Sequence, residues 1–475
     1  MIDFSDFPCA EGGFRFFLEI SKIPRGSGNT AAIADYLVNF ANERGLAVIR
    51  DKYDNVVIKK PATPGYENVP GVIFQGHTDI VAVKTPGADI DLTKDSLRVY
   101  RDGDFLRAKD TSLGGDDGVA IAYALAILDS SDIPHPDFEA VFTSDEEVGL
   151  TGATGLEASA IQGRRMINID SDEEGIFTVG CAGGVRADVS LPVERENANG
   201  KGYKISIKGL LGGHSGIDID KGRANAIKLL AEILAELGDI RISTISGGVA
   251  DNAIPTEAEA TIVSSEDIVE KFNKALCDVL AAWQVRECGI DISLSECECG
   301  ISFDKHTTEN LISLILDEPS GVISMSEDIE GLVETSLNLG VIGCRGGAVE
   351  LGFSIRSSKN SAKEELVSLV KDKAILHGAT ASTRGAYPAW EYRKNSPLRD
   401  KMCKIYEKMR GRAPKVVTIH AGLECGIFSG KIPELDCVSL GPDNFDIHTT
   451  NEHLSISSTA RVYEYLLEVL KDKEN

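Results

Sequence analysis

Short apolar runs alternate with helix-like stretches through the first 190 residues, and four apolar runs in the chain stop abruptly at histidine or carboxylate. Residues 71–75 read as a buried strand that ends at Gly76-His77-Thr78-Asp79. Residues 139–143 run into Ser144-Asp145-Glu146-Glu147, and residues 165–169 end at Asp170. Residues 436–441 are followed, after a short loop, by His448. Helical patterns at residues 30–45 and 118–128 lie between such runs, which is βαβ construction and predicts an α/β domain with a mainly parallel sheet. Open sheets of this kind bind ligands beyond the carboxyl ends of their strands, so the four polar strand ends are expected in one crevice.

The pattern changes at residues 191–200, a polar stretch that reads as a linker. Beyond it, Tyr203, Ile205 and Ile207 alternate with polar neighbours, as do Val349, Leu351, Phe353 and Ile355, the signature of half-exposed antiparallel strands. Ala226, Leu229, Leu230, Ile233, Leu234 and Leu237 fall at helical spacing, so this region is expected to be α+β. A second shift comes near residues 386–390. His448 must join ligands from the first 170 residues, so the tail is expected to return to the first domain. The expected division is residues 1–190 plus 391–475, with residues 191–390 as an inserted domain.

At 475 residues, with 42% hydrophobic and 26% charged residues, the chain can bury full cores in two or three domains. A net charge of -25 with no basic stretch excludes nucleic acid and anionic membrane surfaces as partners. The acidic start lacks the pattern of a secretory signal, and no apolar run is long enough to span a bilayer, so a cytoplasmic protein is expected. The ten cysteines are scattered, as suits reduced thiols, and the one close pair, Cys297-Glu298-Cys299, has no neighbouring partners for a metal site.

Imidazole and carboxylate without a thiolate set suit zinc, manganese or cobalt. Five such groups exceed one tetrahedral ion and fit two divalent ions that share a carboxylate. Asp116, between glycines and just before a helix, is the expected bridge. Each ion then has three protein ligands and an open position, the arrangement of a catalytic site. Asp79 lies two residues from His77, on the same strand face, where it can orient the imidazole. Glu146 and Glu147 are adjacent and point opposite ways in extended backbone, so one is expected on metal and the other free to act as base.

Gly76-His77-Thr78-Asp79, Gly115-Asp116-Asp117-Gly118, Asp145-Glu146-Glu147-Val148-Gly149, Asn168-Ile169-Asp170-Ser171 and His448-Thr449-Thr450-Asn451-Glu452 together resemble the co-catalytic zinc peptidases, the family of glutamate carboxypeptidase, aminoacylase and carnosinase. Gly180-Cys181-Ala182-Gly183-Gly184, His214-Ser215-Gly216 and the segment from His420 to Gly426 look like the aminoacyl-histidine dipeptidase branch. The resemblance spans essentially the whole chain. It departs modestly at Gly114-Gly115-Asp116 and at His448-Thr449, without loss of a ligand.

The resemblance implies two zinc ions, one on His77 and Asp170, the other on Glu147 and His448, with Asp116 between them. Asp79 would stand behind His77, and Glu146 would be the general base. The inserted domain would be a lid that carries a homodimer contact, and His214 matches a histidine that reaches an active site, in relatives from the partner subunit. Asn252 and Arg356 would receive a substrate carboxylate. From charge and motif position, Glu424 is expected to hold a free amino group. The implied reaction is hydrolysis of dipeptides of broad specificity, including Xaa-His. Tripeptides or N-acyl amino acids on the same scaffold are the alternative substrates, and a noncatalytic metal-binding protein is the third reading.

Overall fold

Four of the apolar runs that end in polar residues lie side by side in one sheet. The computed structural model describes residues 2–474 apart from 198 and 328. Its chain divides into two compact units, one formed by residues 1–180, 392–418 and 423–475, the other by residues 181–391 and 419–422.

The first unit holds an eight-stranded sheet. Its first six strands along the chain are β1 (Ala47–Arg50), β2 (Val56–Lys60), β3 (Val72–His77), β4 (Phe138–Thr143), β5 (Arg165–Asn168) and β6 (Ile176–Cys181). With the strands Lys415–Ile419 and Asp436–Ser439, the spatial order is β1, β2, β4, β3, β5, Asp436–Ser439, β6, Lys415–Ile419. The sheet is mixed rather than mainly parallel. β4, β3, β5 and Asp436–Ser439 run parallel, and β1, β2 and β6 join them antiparallel. These four parallel strands are the ones whose ends carry the candidate ligands, so parallel pairing places those ends on one edge. Hairpin-like β1 and β2 have no helical crossover between them, which is why the α/β reading overestimates the parallel part.

The helix Gly115–Asp129 covers this edge from behind and is buried on nearly every side, because alanines and aliphatic residues occupy its whole circumference. It packs beside the helix Glu11–Ile20 in a core of Phe14, Phe17, Ile121, Leu125 and Phe74. The strand and helix approach so closely that a Cβ on Gly76 would collide with the Asp117 carboxylate and the Ala120 methyl. Gly114 takes the left-handed conformation, φ 71°, at the turn into the helix.

The second unit is a nine-stranded sheet, antiparallel at its registered pairings, packed on helices that include Ala226–Glu236 and Asn360–Leu376 around a separate apolar core. Part of the stretch read as a linker is strand. Gly183–Pro192 is a strand paired on both sides, and Arg195–Asn197 pairs with Ile301–Phe303. The chain therefore enters this unit at residue 181, ten residues before the expected boundary. Val185, Ala187, Val189 and Leu191 are buried at the period of two that marks a strand, a signal masked by the polar residues that follow. The segment 419–422 also belongs here, although it lies in the tail.

Gly76→Ala forces the helix away from the ligand-bearing strand and is expected to cost about 1–3 kcal/mol. Thermal melting of the metal-free protein should show a clear drop, and an unchanged melting temperature would contradict the tight strand–helix contact.

Candidate metal centre

The ends of the parallel strands bring His77, Glu146, Glu147 and Asp170 together with Asp116, at the start of the helix Gly115–Asp129, and His448, in the loop that follows Asp436–Ser439. Asp116 is shared. Its Oδ1 lies 2.9 Å from His77 Nε2 and its Oδ2 lies 3.1 Å from His448 Nε2. Asp170 Oδ1 is 3.6 Å from His77 Nε2, and Glu147 Oε1 is 2.9 Å from His448 Nε2. His77, Asp116 and Asp170 form one group with ligand atoms within 4.8 Å of one another, and Asp116, Glu147 and His448 form a second. His77, Glu146 and Glu147 also converge.

The donor set fits metal. Two imidazoles and several carboxylates aim their atoms at two common points, and the contact between Glu147 Oε1 and His448 lacks hydrogen-bond geometry despite its short distance. Burial alone would lower the pKa of His77, but Asp116, Asp170 and Asp79 raise it well above the ordinary histidine value. The hydrogen bond to Asp116 and the adjacent Glu147 carboxylate push His448 up to about 10. Burial disfavours the Asp116 carboxylate, yet the two imidazoles hold it below the usual carboxylate range. Protons on the two histidines thus balance the carboxylates where divalent cations would sit.

The backbone beneath the ligands is held by buried charge. The Glu452 carboxylate accepts N–H bonds from Leu113 (2.7 Å), Gly114 (2.8 Å), Gly115 (2.8 Å) and Asp116 (3.4 Å), which fixes the loop that presents the bridging carboxylate. Arg25, buried to 1% exposure, donates to the carbonyls of Thr78 (2.9 Å) and Gly114 (2.8 Å) and so ties that loop to the end of β3. The sequence reading missed Arg25, because a lone arginine before a glycine turn carries no motif. Glu452 stood within a quoted motif, but its role depends on backbone geometry.

Asp79 is fully buried, and its task differs from the one expected. His77 Nδ1 lies 3.0 Å from the Asp79 carbonyl and 3.6 Å from its carboxylate, so the main chain orients the imidazole. The carboxylate instead accepts the N–H groups of Glu146 (3.0 Å) and Glu147 (3.3 Å) and the Ser27 hydroxyl (2.8 Å). It holds the two glutamates in place. Glu147 reaches His448, while no hydrogen bond ties the Glu146 carboxylate among the described residues. Burial raises the pKa of Glu146 well above the ordinary glutamate value, helped by Asp170, Glu424 and Glu147 and opposed by His77. Glu424 is fully buried, with Oε2 bonded to Gln75 and Thr143, and burial pushes it up to about 7. His453, five residues beyond His448, stacks on Phe445 at 5.1 Å.

Residues 73–472 match Peptidase family M20/M25/M40. The chain belongs to this family. Among family relatives, it is 37% identical over 468 residues to the cytosol non-specific dipeptidase of Escherichia coli strain K12, with 96% of each chain covered. Its structure is similar to that of the aminoacylhistidine dipeptidase from Vibrio alginolyticus, with a TM-score of 0.92, 36% identity, and coverage of 98% of this chain and 99% of that one. Aminopeptidase PepT from Bacillus cereus ATCC 10987, at 18% identity and a TM-score of 0.56 over 97% of this chain and 98% of that one, shares the fold alone. Membership of the M20 family makes the chain a metallopeptidase.

The other expected residues of this M20 peptidase lie in the second unit and gather there. His214 lies on the strand Gly213–His214, which pairs with Ala253–Ile254, and Asn252 immediately precedes that partner strand, with the Ser215 N–H donating to the Asn252 carbonyl at 2.8 Å. Backbone N–H groups of Gly216 and Ile217 donate to His214 Nδ1 at 3.2 Å, which places the imidazole proton on Nε2. Burial and the neighbouring Arg356 lower the His214 pKa, so the ring is neutral at pH 7. Arg356 Nη1 donates to the Tyr387 hydroxyl at 3.0 Å, and its buried Nε has no partner among the described residues. His420 joins this group through its bond to Ser336 at 2.7 Å and is pushed down to about 4 by burial, Arg356 and His214.

Divalent metal must displace the protons on His77 and His448. Calorimetric titration with zinc at pH 7, in buffers of different ionisation enthalpy, should therefore report release of about two protons per chain. Affinity should rise with pH until His448 loses its proton near pH 10. Binding without proton release would contradict the assignment of both histidines.

Proposed function

We propose that this M20 peptidase hydrolyses dipeptides of broad specificity, Xaa-His among them, with two divalent metal ions. The observation that carries this reading is one part-buried carboxylate, Asp116, held between two histidine–carboxylate groups, with the Glu146 carboxylate unengaged beside them among the described residues. The names of the relatives from Escherichia coli and Vibrio alginolyticus support the substrate class. Zinc suits the donors best, with manganese or cobalt as alternatives.

His77 and Asp170 would hold one ion, Glu147 and His448 the other, and Asp116 both. When bound, the pair of cations lowers the pKa of an attacking water and polarises the peptide carbonyl. Glu146 accepts the proton of that water as it attacks and returns it to the leaving amine. Its buried position beside other carboxylates favours proton uptake. His214, with its proton fixed on Nε2, is a neutral donor for the oxyanion that develops on the carbonyl oxygen. Arg356 and Asn252 receive the substrate carboxylate; the free Nε of Arg356 is available for such a partner. Anchoring one end restricts cleavage to short peptides.

A homodimer through the second unit and action in the cytosol belong to the same reading. No helix among the described residues is long and apolar enough to cross a membrane.

Amine release from Ala-His, Ala-Ala-His and N-acetyl-His, measured after metal removal and again after zinc is restored, tests the substrate class. Metal-dependent cleavage confined to Ala-His is the expected result. Cleavage of N-acetyl-His or Ala-Ala-His instead would move the activity to the alternative substrates. Glu146→Gln should lower kcat by at least about 10²-fold while metal content is kept, and a smaller loss would remove Glu146 from proton transfer.

A further inference from the structure

Parallel strands buried on both faces ordinarily carry apolar residues throughout. β3, β4 and β5 break this rule at Gln75, Thr143 and Asn168, which are exposed by no more than 1%. Gln75 stands two residues before His77, Thr143 three before Glu146, and Asn168 two before Asp170. The three side chains are joined. Asn168 Nδ2 donates to Gln75 Oε1 at 2.7 Å, and Gln75 Nε2 donates to Glu424 Oε2 at 2.5 Å and to Thr143 Oγ1 at 3.3 Å. Thr143 Oγ1 donates to the same Glu424 oxygen at 2.7 Å. Glu424, the first residue of the helix Glu424–Lys431, is fully buried.

A buried polar network is costly where it is incompletely paired, and here Glu424 Oε1 and Asn168 Oδ1 both lack partners among the described residues. Apolar residues would fill these positions more favourably, so fold stability alone does not account for them. The network does fix something specific. One carboxylate and one amide cross-link the three strands immediately before they deliver their metal ligands, and so set the spacing of His77, Glu146–Glu147 and Asp170.

We propose that Glu424 is a positioning residue for the metal centre, acting through Gln75, Thr143 and Asn168, rather than a contact for the substrate amino group. This inference rests on the proposed di-metal activity, but its main readout does not require any substrate. Partners behind metal ligands typically influence metal affinity or activity by about 10- to 100-fold.

The test is Glu424→Gln in the cobalt-loaded protein, read by visible absorption of the bound cobalt, by cobalt affinity and by steady-state kinetics on Ala-His. The expected result is a shifted cobalt band, affinity weakened by about 10- to 100-fold, and a fall in kcat with KM nearly unchanged. An unaltered cobalt band and kcat, with KM raised for Ala-His while the inhibition constant of uncleaved N-acetyl-His is unchanged, would overturn the proposal and return Glu424 to the amine. No change in any readout would overturn it equally. Should Glu424→Gln not fold, Thr143→Val removes one hydroxyl from the same network and is expected to shift the cobalt band in the same direction; an unchanged band would overturn the proposal. If Ala-His is not a substrate at all, the dipeptide reading fails while the cobalt band still decides the role of Glu424.

Discussion

Both oxygens of the Asp116 carboxylate face a histidine, and everything in the first unit serves that arrangement. Several carboxylates crowd into a buried space, where mutual repulsion and lost hydration both oppose their ionisation. Only cations on both sides of Asp116 make the cluster tolerable in charged form. Without metal, protonated His77 and His448 fill that part; two divalent ions would fill it more strongly. The surrounding structure is built to hold the bridge still. Glu452 grips the backbone that presents Asp116, Arg25 ties that backbone to the end of β3, and Asp79 fixes the two glutamates.

Division of labour between adjacent carboxylates follows from the same scaffold. Glu146 and Glu147 share a backbone clamp on Asp79, yet Glu147 turns to His448 while Glu146 keeps an unengaged carboxylate. In the proposed reaction the first would bind metal and the second would transfer the proton. In the second unit, His214, Arg356 and His420 form a cationic and donor-rich group, with His214 locked as a neutral donor by two backbone N–H groups.

Much of the candidate site was legible in the sequence because its ligands end apolar runs. His77, Asp170 and the Glu146–Glu147 pair each terminate a period-free buried strand, and parallel pairing carries them to one edge. Less legible were groups whose role depends on which main-chain atoms come near. The Asp79 carboxylate was expected to meet the His77 ring, but a tight turn puts its carbonyl there instead. Arg25 acts on carbonyls 53 and 89 residues away, a relation that no local pattern encodes. The start of the second unit was read ten residues late, since the polar residues after Pro192 looked like a linker although the alternation from Val185 to Leu191 had already announced a strand. The antiparallel flanks of the first sheet were missed because short strands and helices along a chain do not report the direction of pairing.

The shared carboxylate can be tested without reference to any substrate. Crystals of the zinc-loaded protein, measured at the zinc absorption edge, should give two anomalous peaks in each chain, one on either side of Asp116 and each about 2.0–2.2 Å from one of its oxygens. A single peak, or two peaks that leave Asp116 uncoordinated, would contradict the bridge on which the account depends.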